Sequence, residues 1–137
     1  LSSGESLTDP VVIVVEPRPS LFAVIAENCD FLRIRVERLP HGAGICQSLR
    51  DMQPIAVLSE AENVDYRVYD LLMSVAEYDP DLSVLMVLKD DPALRGALDG
   101  ARDLWQLTDV VRSPHRPGIR ELIDFLFRAG SKSGARR

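Results

Sequence analysis

Five stretches of this chain are apolar over the length of a strand, and each is followed by a segment whose apolar residues recur at helical spacing. That alternation constrains the fold more than any other feature. Strand and helix in strict succession build a parallel sheet with helices packed on both faces. At 137 residues there is room for one such unit with a buried core.

Val11 to Val15 are five consecutive β-branched residues, followed by a predicted helix from Ser20 with Leu21, Val24, Ile25 and Asn28 on one side. In Leu32-Arg33-Ile34-Arg35-Val36-Glu37 apolar and charged residues alternate, the mark of an edge strand with one wet face. Ile45, Leu49 and Met52 define a second helix before Pro54, and Ile55 to Leu58 is a wholly apolar third strand. Val68, Leu71, Leu72 and Val75 fall at i, i+3, i+4 and i+7, a helix expected to end near Asp79-Pro80. Val84 to Leu88 is the fourth strand. Asp91-Pro92 then opens a helix carrying Leu94, Leu98, Ala101 and Leu104, softened by Gly96 and Gly100, at about 1 kcal/mol each relative to alanine. Leu107 to Arg112 is a shorter, more polar strand, and Pro117 opens the last helix, with Ile119, Leu122, Ile123 and Leu126 as its apolar stripe.

Strands one, three and four are apolar throughout and belong in the middle, while two and five carry polar faces and belong outside. This is the distribution of the flavodoxin-like sheet, order 2-1-3-4-5, with right-handed crossovers and helices on both faces as a three-layer α/β sandwich. The ends, residues 1–10 and 129–137, are rich in Ser, Gly and charge and read as tails or a linker around a domain spanning 11–128.

In such a sheet ligands sit beyond the carboxyl ends of the strands. The residues there are Glu16, Pro17 and Arg18 after the first strand, Ser59 and Glu60 after the third, Lys89 after the fourth, and Ser113 and Pro114 after the fifth. In layout, from Val11 to about Phe127, the chain resembles the receiver (CheY-like) domain of two-component response regulators. The resemblance implies a magnesium site of adjacent acids after the first strand, an aspartate phosphoacceptor after the third, a hydroxyl after the fourth and a Lys-Pro pair after the fifth. This sequence departs from that pattern at each point. Glu16 is followed by Pro17, Ser59 stands for the aspartate, Lys89 for the hydroxyl, and Ser113 precedes Pro114 where the lysine belongs. Val110 takes the place of the aromatic that receivers carry on the fifth strand. A slip of one residue brings Glu60 to the acceptor position instead, where its carboxylate mimics the phosphorylated charge as a permanent-on residue. Lys89 is by default a solvated lysine, with an ion pair to Glu16 or Glu60 as the alternative.

The expected function is therefore a degenerate receiver, a signalling module that acts through protein contacts without phosphorylation and is not an enzyme. Receivers commonly use the fourth helix, fifth strand and fifth helix for this purpose. The resemblance thus nominates Leu94, Leu98, Trp105, Val110, Arg112 and Phe125 for a protein partner or a second copy. Phe125 and Phe127 lie about 200° apart on a helix, so both cannot centre one narrow stripe.

Three other readings compete. A phosphorylatable receiver with a displaced acceptor would need Asp30 or Asp90, but Asp30 precedes the second strand and Asp90 suits a helix start. A nucleotide- or flavin-binding domain needs free backbone N–H groups after the first strand, where Pro17 and Pro19 remove two, and Gly42-x-Gly44 follows the wrong strand. A nucleophile at Cys46 or Ser59 finds no histidine at a supporting spacing, His41 and His115 included. Cys29 and Cys46 lack C-x-x-C spacing and read as buried thiols, so neither a metal nor a cofactor is expected. The formal net charge of −5 disfavours nucleic acid, no apolar run reaches the ~20 residues of a membrane span, and a cytoplasmic protein is expected.

Overall fold

The continuous apolar runs form the middle of a sheet. A computed structural model describes residues 9–16, 20–28, 32–39, 44–60, 66–88, 92–114 and 117–136. The elements are β1 (Val11–Val15), α1 (Ser20–Asn28), β2 (Arg35–Leu39), α2 (Ile45–Met52), β3 (Ala56–Glu60), α3 (Tyr66–Tyr78), β4 (Ser83–Val87), α4 (Pro92–Trp105), β5 (Val110–Ser113) and α5 (Ile119–Arg136). All strand pairs are parallel and the order is β2-β1-β3-β4-β5, as the polarity of the strands requires.

Because side chains alternate across a strand, β1, β3 and β4 each feed two cores. Ile13, Val15, Val57, Val84 and Met86 pack with Ile45 and Leu49 of α2, Leu71, Leu72 and Val75 of α3, and Leu98 of α4. On the other face Val12, Val14, Leu58, Leu85 and Val87 meet Leu21 and Ile25 of α1 and Leu122, Phe125 and Leu126 of α5. Each of these large side chains contributes about 1.5–3 kcal/mol by leaving water. No helix of the described residues is long and apolar enough to cross a membrane. α2 ends at Gln53, which adopts φ 49° and donates its N–H to the Leu49 carbonyl at 2.9 Å, turning the chain toward β3.

Two boundaries differ from the sequence expectation. β2 is paired over Arg35–Leu39 rather than from Leu32, because Arg33 adopts φ 54°, which breaks the extended run, and the ladder begins only after it. Residues 129–136, expected as a tail, belong to α5. Ala129 is buried against the sheet, and the roughly two turns that end the helix are tied to a distant carboxylate through Lys132. Asp109 accepts from Ser83 Oγ at 2.6 Å, Arg128 Nη2 at 2.9 Å and Lys132 Nζ at 3.1 Å. Burial alone would push the Asp109 carboxyl up. The hydrogen bonds from Ser83 and Lys132, with the charges of Lys132 and Arg128, outweigh that and hold it below the ordinary carboxylate value.

Half of the expected interface residues are core. Leu98, Val110 and Phe125 are buried, and Leu94, Trp105 and Arg112 are half-buried. Trp105 stacks edge-on against Tyr69 of α3, with ring centroids 6.3 Å apart. The large apolar residues that α4 and α5 leave in water are Leu104, at 73% exposure, Phe127, at 55%, and Ile119, at 38%, the last expected on the apolar stripe of α5. Phe125 and Phe127 thus divide between core and surface as their angular separation demands. Cys46, expected buried, is half-buried, and Cys29 lies outside the described residues.

Candidate functional site

Strand register decides which side chains share the carboxyl end of the sheet. Val15 is level with Ser59, Ser59 with Met86, Glu60 with Val87, and Val87 with Ser113. Alternation sends Ser59 to the face of Val57, and Glu60 to the face of Leu58. Ser113 follows Val111 onto that second face, and Glu16 follows Val14. Glu16, Glu60, Val87 and Ser113 therefore form one row beneath α1 and α5, and Ser59 stands on the opposite side with Val15 and Met86. Leu88, buried, is the first residue after β4. Pro17, Lys89, His41, His115, Asp30 and Asp90 lie outside the described residues.

The acid retained after β1 is committed to the fold. Glu16 is 1% exposed, its Oε1 accepts the Leu21 N–H at 2.7 Å, and its Oε2 accepts the Phe22 N–H at 2.9 Å. Those N–H groups open α1 and have no partner within the helix. A carboxylate there satisfies both and neutralises the positive end of the helix dipole. Arg38 of β2 completes the arrangement, with Nη2 donating to the Glu16 carbonyl at 3.0 Å and Nε 3.9 Å from Oε2. Neither Arg38 nor the cap is visible in local spacing, since the acid lies five residues before Leu21 and the arginine 22 residues after the acid.

A receiver's magnesium does not fit this donor set. Magnesium asks for near-octahedral oxygens and is usually held by one or two carboxylates with retained waters. Here one carboxylate binds backbone N–H groups with both oxygens, and its neighbour in sequence is proline. Among the described residues no group of three His, Cys, Asp or Glu side chains is placed to hold a metal ion. Ser59 is buried and Ser113 is buried, so the hydroxyls at the strand ends are enclosed, whereas Glu60 is half-buried. A hydroxyl does not form the labile acyl phosphate on which phosphoryl exchange with histidine depends.

At the other side of α5 a groove of about 510 Å³ runs along β5. Leu85, Val111 and Phe125 give it an apolar floor, and Arg112, Glu121 and Arg128 stand at its rim. Arg112 and Phe125, two of the residues nominated from sequence, line it.

No protein-family model matches the chain, and no curated protein matches it by sequence. Solved structures do. The beryllofluoride-activated NtrC receiver domain superposes with a TM-score of 0.68 at 20% identity, covering 91% of this chain and 97% of that one. A CheY-like response-regulator receiver domain protein from Methanospirillum hungatei JF-1 gives 0.70 at 12% identity, covering 95% and 100%. The non-phosphorylated HemR receiver domain from Leptospira biflexa gives 0.64 at 19%, covering 88% and 94%. The chain has the fold of the response-regulator receiver domains, complete from β1 to α5.

Proposed function

We propose that this protein is a receiver-type signalling module of the two-component kind that works without phosphoryl transfer, by binding a protein partner or a second copy of itself. The observation that carries this reading is Glu16, the one acid kept after β1, whose two oxygens are both occupied by the start of α1. With proline beside it, serine at Ser59 and Ser113, and no aspartate at the end of β3, neither the metal nor the acyl phosphate has its chemistry. The module is not an enzyme, needs no cofactor, does not bind nucleic acid and acts in the cytoplasm. Its contact surface is α4, β5 and α5, where Leu104, Phe127 and Ile119 are exposed apolar groups and the groove beside β5 offers shape. Glu60, in the row of Ser113, gives the site a fixed negative charge in place of a transient one.

Titration with magnesium and beryllofluoride, followed by Trp105 fluorescence and amide NMR shifts, tests the reading. We expect no saturable change at Glu16, Ser59, Glu60 or Ser113. Saturable shifts there would make the protein a phosphate-responsive switch. In sedimentation or partner-binding assays, Glu60→Gln is expected to weaken association at α4–β5–α5, and an unchanged constant removes the fixed-charge role.

A further inference from the structure

The strongest polar cluster among the described residues lies at the opposite end of the sheet from the candidate site. Asp109 precedes β5 and its carboxylate joins Ser83, the first residue of β4, to Arg128 and Lys132 of α5. Lys132 Nζ also donates to the Asp81 carbonyl, and the Asp81 carboxylate accepts the Thr108 hydroxyl at 2.7 Å. Ser83 is 1% exposed, so the cluster is anchored in the sheet and reaches outward to the helix. The charged and titratable groups facing Asp109 are thus Arg128 and Lys132 from α5 and Asp81 from the turn before β4.

Among the described residues little else fixes this part of α5. After Leu126 the described side chains turned into the core reduce to Ala129, a single methyl group. At Gly130 the nearest atom that a Cβ would meet is the Ile55 methyl, 3.9 Å away. Residues 131–134 are Ser-Lys-Ser-Gly, a run with poor intrinsic helix preference. Arg128 has a second engagement, since its guanidinium lies 5.6 Å from the centre of the Phe125 ring and lines the groove beside β5. One side chain therefore belongs both to the cluster and to the groove.

We propose that Asp109 is an electrostatic clamp that seats the C-terminal turns of α5 and, through Arg128, sets the shape of the groove between β5 and α5. The clamp is a conformational device: releasing it loosens the end of the helix while leaving the rest of the sheet intact, and changes the groove from the far end of the molecule. It is independent of whether the strand ends respond to phosphate.

Amide hydrogen exchange by NMR on the full chain tests the clamp, comparing wild type with Asp109→Asn and, as a second variant, Arg128→Gln. Asparagine keeps the shape and an acceptor for Ser83, and Arg128 is more than half exposed, so both variants are expected to fold. Loss of charge-assisted hydrogen bonds should lower the protection of α5 amides from Arg128 onward by about tenfold or more, with β1 and β3 amides changed less than about twofold. The methyl resonances of Leu85 and Val111 on the groove floor should shift in both variants. An equal loss of protection across β1, β3 and α5, or unchanged protection at the end of α5, overturns the clamp. Opening of the helix end without a shift of those methyls overturns its link to the groove.

Discussion

The two ends of the parallel sheet use charge in opposite ways. At the carboxyl ends of the strands, where this fold normally meets its ligands, Glu16 is turned inward and satisfied by backbone N–H groups of α1. At the amino ends, where the fold has no customary site, Asp109 collects a hydroxyl and two cations from elements far apart in sequence. One acid has become part of a helix terminus and the other ties a helix down. The comparison shows that a carboxylate is not a site until its oxygens are counted, and that both of these acids hold helices in position.

The most severe way to break the comparison is Glu16→Ala, which strands two N–H groups at the start of α1 and leaves Arg38 without its carboxylate. We expect a loss of about 2–4 kcal/mol in urea unfolding, with Glu16→Gln recovering roughly half because one acceptor oxygen remains. A loss below about 0.5 kcal/mol for Glu16→Ala would show that water replaces the carboxylate, and the site would again be open to a ligand.

The other end should cost less. Arg128 and Lys132 are partly solvated, so Asp109→Asn is expected to remove about 1–2 kcal/mol at pH 7 after allowing for screening. The sign with pH follows from the direction of the shift. The folded Asp109 carboxyl titrates below its unfolded value of about 3.9, so its contribution is complete above that value and is lost as pH falls through the folded one. The difference between wild type and Asp109→Asn should therefore be constant from about pH 8 to pH 5 and shrink at pH 3, measured by urea unfolding at each pH. A difference that persists unchanged at pH 3 would mean that shape, not charge, holds the helix.

Much of this was legible in the sequence, and the parts that were not share a cause. β1, β3 and β4 announce themselves because a strand buried on both faces must be apolar throughout, and the stripe of α3 obeys the same economy, whereas that of α4 is core at Leu98 and Ala101 but leaves Leu104 in water. β2 starts late because Arg33 turns into the left-handed region, which an alternating apolar and charged pattern does not reveal. The end of α5 was hidden because its helix is stabilised from 23 residues away by Asp109, a partner that periodicity within the segment does not reveal. The Glu16 cap was hidden for the same reason. The positions of the candidate site were legible, since they follow from counting past each strand. Their faces were not, because only the ladder separates Glu60 from Ser59.

The smallest expected effect sharpens the contrast by supplying a surface pair. Arg35 and Glu37 on β2 approach to 3.4 Å with both side chains partly exposed, and Glu37→Gln should change stability by no more than about 0.5 kcal/mol. A larger value would place β2 among the elements that charge holds in position.

The capped start of α1 has one more consequence. The first turn of a helix beside a strand end attracts phosphate because its N–H groups and dipole are unanswered. In this molecule the answer is built in. The Glu16 carboxylate already sits where a small anion would otherwise settle, so the Leu21 and Phe22 N–H groups are closed to a phosphate unless that side chain moves away.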